Sequence, residues 1–208
     1  MRLVSLILPV VSCGISLAAP VTTPITAKMT STTYEVGGNG QTSIISQESG
    51  TFARRADGSE VTRFLDPSTG QPRTAAIRAN GQSIVIKYLS KRYTVGASSP
   101  LAPYAVPFIQ KPGMESQTIN GIYVVGISIT DGKTGQVVGK AWFSPDYKIT
   151  VRTETERTSA VTGKTIRMVQ EMSDIQIGAA PDPNLFTVPA GFTATAGSAD
   201  CKFCGGSN

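Results

Sequence analysis

Along most of this chain, apolar residues recur at every second position rather than every third or fourth. The clearest run is Tyr147 to Arg157, where Tyr147, Ile149 and Val151 alternate with Lys148, Thr150, Arg152, Glu154 and Glu156. One apolar and one charged side is how a strand reads when one face of its sheet is solvated. Ile122 to Thr130 is a denser run of the same kind, Gln136 to Ser144 carries Val137, Gly139, Ala141 and Phe143 in phase, and Lys164 to Ser173 carries Ile166, Met168 and Met172. Weaker alternation predicts further strands at Met29 to Val36, Thr42 to Arg55, Glu60 to Leu65, Thr74 to Ala79, Ser83 to Leu89 and Arg92 to Val95. No stretch has the 3.6-residue rhythm of a long amphipathic helix.

Between these runs lie explicit turn signals: Asp57-Gly58, Asp66-Pro67-Ser68-Thr69-Gly70, Asn80-Gly81, Asp131-Gly132, Ser144-Pro145-Asp146 and Ser159 to Gly163. Short loops with glycine at left-handed positions are what hairpins require. The pattern therefore predicts a mainly β fold of roughly nine or ten strands in an antiparallel meander. Strand twist curls such a meander, and its edges need cover or closure. The expected architecture is a curved half-barrel with little helix, with a closed β-barrel or sandwich as the alternative. Asp182-Pro183 reads as a capped helical turn leading into Leu185 and Phe186. The proline-rich segment between Gly96 and Asn120 carries Leu101, Tyr104, Val106, Phe108, Ile109 and Met114, and is expected to lie against the sheet.

The ends of the chain add a location. Arg2, the apolar run Leu3 to Val11 and the closing Ser16-Leu17-Ala18-Ala19, with small residues at −3 and −1 of a cut after Ala18, have the order of an export signal. The run is shorter than the about 20 residues a membrane span needs. The expected organisation is a signal peptide over 1–18, a Thr/Pro-rich lead over 19–28, one antiparallel β domain over 29–195, and a Gly/Ser-rich tail over 196–208 containing Cys201 and Cys204. A second reading stays open: Val10-Val11-Ser12-Cys13-Gly14 is similar to a lipoprotein box, in which Cys13 would carry a lipid anchor. The expected location is periplasmic or secreted, or anchored through Cys13. The formal charge of +5 falls by one with loss of Arg2, too little for a nucleic-acid footprint.

Composition also narrows the chemistry. The chain has no histidine, so Ser-His-Asp and Cys-His mechanisms are excluded within it. Cys201 and Cys204 read as a local disulfide in an exported protein. Catalytic pairs of this spacing open a helix, and a Gly/Ser tail supplies none; two thiolates alone leave a zinc site short of ligands. No catalytic, metal or cofactor site is expected. Leu101, Tyr104, Phe108, Met114 and Trp142 are the candidate ligand-lining residues, with core packing as the competing reading. Arg54 and Arg55 could form an anion site, but a solvated hairpin accounts for them as well; Lys87, Lys91 and Arg92 allow the same pair of readings. Glu154 and Glu156, between Arg152 and Arg157, read as cross-strand ion-pairing residues rather than a catalytic carboxylate pair.

Several blocks carry a resemblance. Ile119-Asn120-Gly121, Ala141-Trp142-Phe143-Ser144-Pro145-Asp146, the closing run Ala180 to Phe192, and Thr51 to Ser59 are similar to a group of uncharacterised exported proteins of soil bacteria, especially acidobacteria. More remotely, the strand order, the Trp-x-Ser-Pro turn and the closing Leu-Phe-x-x-Pro resemble the LolA/LolB lipoprotein carriers. That resemblance implies an unclosed barrel lined by apolar residues and able to hold an acyl chain, although no helices are evident here that could lid it. The function expected is a non-enzymatic envelope binding module for a lipid, acyl or lipoprotein ligand. The alternative is a structural or protein-interaction protein with a filled core.

Overall fold

The computed structural model describes residues 22–79, 81–97, 115–130, 135–158 and 163–195. They form twelve strands: β1 (Ile25–Val36), β2 (Thr42–Arg54), β3 (Glu60–Leu65), β4 (Pro72–Ala79), β5 (Gln82–Lys87), β6 (Arg92–Ala97), β7 (Ser116–Ile119), β8 (Ile122–Thr130), β9 (Val137–Ser144), β10 (Ile149–Thr158), β11 (Thr165–Ile177) and β12 (Thr193–Ala194). All belong to one sheet, ordered β12-β6-β5-β4-β3-β2-β1-β11-β10-β9-β8-β7. Pairing is antiparallel except for β12, which lies parallel to β6. β12 and β7 are the edges and do not pair with each other, so the sheet is a curved, open half-barrel rather than a closed barrel.

The order departs from a single meander. β1 to β6 run sequentially one way, β7 to β11 the other, and β1 joins them by pairing with both β2 and β11. β1 begins at Ile25, inside the expected Thr/Pro-rich lead, because Ile25, Ala27 and Met29 continue its buried face. β7 and β12 are additional strands.

The ladders are bent at defined points. Register shifts occur between Thr26 and Lys28 against β11, between Thr33 and Tyr34 against β2, and between Thr150 and Arg152 against β9. Bulges of this kind add local twist and kink the strand. Asp174, opposite the first shift, has a φ of 49°. β10 pairs with β11 only from Arg152–Glu171 onward. At the edge of β11 beyond that point, Asn120 donates from Nδ2 to the Met172 carbonyl at 2.6 Å and to Glu171 Oε1 at 3.1 Å. Asn120 and Gly121, with φ of 49° and 80°, make the two-residue turn between β7 and β8; two successive positive φ values select Asn-Gly.

Two apolar clusters form the core. One joins Ile25, Ala27, Met29, Phe52, Ile122, Val124, Trp142, Ile149, Val151 and Met172. The other is Ala53, Val61, Ala75, Ile77, Ile84, Ile86 and Val95, covered by Phe186 with Leu185, Val188 and Phe192 packed beside it. The expected helical turn is a 3-10 turn over Pro183–Phe186, capped by Asp182, whose Oδ1 accepts from the Asn184 amide at 2.9 Å. It places Phe186 on the face of the β2–β6 half that carries Ala53, Val61 and Ile77. On the opposite face of β4–β6, Arg78, Val85, Lys87, Arg92 and Thr94 are exposed among the described residues.

Gly139 lies opposite Thr155, and a Cβ there would press on the Glu154 carbonyl oxygen and approach Thr155 Cα to 2.9 Å. Gly139→Ala should cost about 1–3 kcal/mol, the usual range for forced overpacking. Gly38→Ala, where an added Cβ meets nothing within 4 Å, should stay within about 0.5 kcal/mol. Urea titrations with unchanged m values check both.

Candidate functional site

The face of β3 and β4 turned away from Phe186 leads into a cavity of about 350 Å³. Its walls come from both halves of the sheet. Glu60, Thr62 and Phe64 of β3 and Ala76 and Arg78 of β4 face Ile149 to Thr153 of β10, with Met29, Phe52 and Met172 as the apolar base. Met29, Phe52, Ile149, Val151 and Met172 belong also to the first core cluster. The interior is thus packed on one side and hollow on the other. The volume falls within the ~300–1,000 Å³ typical of small-ligand pockets. On the opposite face, a shallower depression of about 770 Å³ runs past Thr51, Ala53, Ile175 and Leu185.

Register explains the polar residues in the cavity wall. Arg54 stands opposite Glu60, and Glu60 opposite Arg78, so the three form a cation–anion–cation row on one face. The solvated reading of Arg54 is overturned: it is only 3% exposed. Its guanidinium donates to the Thr23 carbonyl at 3.0 and 3.3 Å and to the Lys148 carbonyl at 3.2 Å. A planar five-donor group can tie the approach to β1 to the turn before β10 in this way; a lysine cannot. Arg55 lies 4.8 Å from the Phe186 ring centroid as a cation–π contact. Glu60 is 8% exposed. Burial pushes its carboxyl above the usual value of 4.5, and the charges of Arg54 and Arg78 pull it down without cancelling the shift.

A second charged cluster lies on β10 and β11. Arg152 pairs with Glu154 at 2.5 Å and with Glu171 at 3.0 Å, and Arg167 pairs with Glu154 at 2.6 Å. Burial raises the Glu154 carboxyl, but the hydrogen bond from Arg167 and the charge and hydrogen bond of Arg152 outweigh it and bring the net value below 4.5. This is the ion-pairing arrangement expected for Glu154. Among the described residues, no group of three or more Cys, Asp or Glu residues is arranged to hold a metal.

Of the residues singled out in the sequence, Trp142 is buried in the first core cluster, with Lys140 Nζ 5.1 Å from its ring centroid, and does not line the cavity. Leu101, Tyr104, Phe108, Met114, Cys201, Cys204 and Cys13 lie outside the described residues. Glu60, Arg78, Phe52 and Phe64 were not anticipated in the cavity. Their one sequence signal is parity: Phe52 and Arg54 share a phase, as do Glu60, Thr62 and Phe64.

No family model matches the chain, and no curated protein matches it. Among solved structures it is similar to a conserved protein of Thermus thermophilus described as uncharacterized, with a TM-score of 0.50, 9% identity, and coverage of 84% of this chain and 90% of that one. That likeness is one of fold. Its structural neighbours also include a putative outer membrane lipoprotein-sorting protein domain from Vibrio parahaemolyticus (TM-score 0.35, 11% identity, 78% of this chain and 88% of that). Another is a LolA superfamily protein from Nitrosomonas europaea (0.33, 8%, 78% and 89%).

The two shifted carboxyls act on stability with opposite signs. Glu154, held below 4.5, stabilises the fold above that pH, and this contribution is lost as pH falls through its folded value. Glu60, held above 4.5, disfavours the fold progressively as pH rises from 4.5 through its folded value. Arg78→Gln removes a field that lowers the Glu60 value and should raise it further. Carboxyl-carbon NMR titration of wild type and variant checks the direction; an unchanged or lower value contradicts the row of charges.

Proposed function

We propose that this protein is an exported, non-enzymatic binding module of the cell envelope whose concave face takes an apolar ligand such as an acyl chain. The observation that carries the reading is the cavity of about 350 Å³ between β3–β4 and β10. Phe52, Phe64, Met29 and Met172 offer apolar surface there, and methionine adapts to ligands of differing shape. An acyl chain attached to a lipoprotein is the same chemistry presented by a protein partner. The second reading, a partner-binding protein with a filled core, draws on the apolar packing of Trp142, Ile122 and Val124 beside the cavity. Export rests on the leader-like residues 1–18, with cleavage after Ala18 proposed and lipidation at Cys13 as the competing processing. Among the described residues, no helix is long and apolar enough to cross a membrane.

Displacement of the neutral probe N-phenyl-1-naphthylamine by dodecanol tests the cavity. Phe64 is half-buried and lines it, so Phe64→Ala should weaken probe binding about tenfold, the scale expected when one aromatic ring is removed from the wall, while melting stays close to wild type. No probe uptake by the wild-type protein contradicts the carrier reading. The intact mass of protein recovered from the envelope separates the two processing routes: a chain starting at Ala19, or one starting at a lipidated Cys13.

A further inference from the structure

The face of the sheet that holds the cavity is unequally charged. Taking residues directly opposite one another, the row from Glu60 crosses to Arg78 and then Ser83, and the row from Phe64 crosses to Thr74, Lys87 and Arg92. From β3 to β6, therefore, this face presents Arg78, Lys87 and Arg92 against a single acid, Glu60. Arg78, Lys87 and Arg92 are exposed, and none has an ion pair within 4 Å among the described residues. Arg54, the fourth cation of the face, is committed to the carbonyls of Thr23 and Lys148. Of the other three, Arg78 alone lines the cavity, and it does so beside the apolar surface of Phe52, Phe64 and Met172.

We infer that the ligand is an amphiphile with an anionic head group, its chain in the apolar trough and its head held by Arg78, with Lys87 and Arg92 extending the positive field toward the β6 side. This deepens the proposed function and rests on it. A guanidinium that is held in no ion pair within 4 Å can meet a carboxylate, sulfate or phosphate with two parallel hydrogen bonds. A cationic head would meet a face with three positive charges and one negative one. Glu60 tempers the field, and its ionised form opposes an anion placed on Arg78.

The test compares three twelve-carbon probes below their micellar concentrations: laurate, dodecanol and dodecyltrimethylammonium, each displacing N-phenyl-1-naphthylamine at pH 8 and low salt. Laurate should bind at least about fivefold tighter than dodecanol, as expected for one charge-assisted contact at a partly solvated site, and the cationic probe should bind weakest. Arg78→Gln should bring laurate to within about twofold of dodecanol, while Arg78→Lys should restore part of the preference. Glu60→Gln should tighten laurate and not dodecanol. If dodecanol and laurate bind equally well, or the cationic probe binds best, the anionic head group is ruled out and the apolar cavity stands. If none of the three displaces the probe, both readings fall.

Discussion

The structure depends on the double pairing of β1. Its partners come from opposite parts of the chain: β2 follows directly, whereas β11 lies some 130 residues further on. The β1–β2 ladder joins strands within the first meander, and the β1–β11 ladder brings the second meander beside it. Together they make one sheet of two meanders, and every residue that faces another across the cavity does so because β1 sets the register on both sides. A slip of one residue on either ladder would turn Met29 or Met172 to the wrong face.

The curvature follows from where that sheet is bent. Shifts at Thr26/Lys28, Thr33/Tyr34 and Thr150/Arg152 fall on β1 and β10, and two more lie at Phe64/Leu65 and Ile129/Thr130. Gly139 carries no side chain, which lets the backbone of Glu154 and Thr155 approach closely. Arg54 then fixes the distance between the entry to β1 and the start of β10. A buried guanidinium bound to carbonyls is costly to desolvate, and its hydrogen bonds offset that cost.

Much of this was legible in the residues. Ten of the strands follow from the every-other-residue rhythm, because alternation is the direct imprint of a half-buried sheet. β7 is four residues long and mostly exposed, so it has no apolar phase to read; β12 exists only because the capped turn at Asp182 brings Thr193 to Arg92. Strand order was not legible past the meander, since alternation says which face a residue takes and not which strand lies beside it. The same gap hid the site. Glu60 and Arg78 read as ordinary polar positions until register sets them side by side, and Arg54 looks solvated until Thr23 and Lys148 are seen to close over it. Glu154 was readable because its partners, Arg152 and Arg167, lie on its own strand and on the next along the chain.

An unclosed sheet has one geometric freedom that a barrel lacks. In a closed barrel, strand number and stagger together dictate the radius, so the enclosed space changes only in discrete steps. Here β7 and β12 are not bonded to each other, so the bends in β1 and β10 are not bound by that condition. Small changes at those bends would widen or narrow the hollow continuously, leaving the pairing of the other strands intact, so related chains could be tuned to guests of different girth without a new topology.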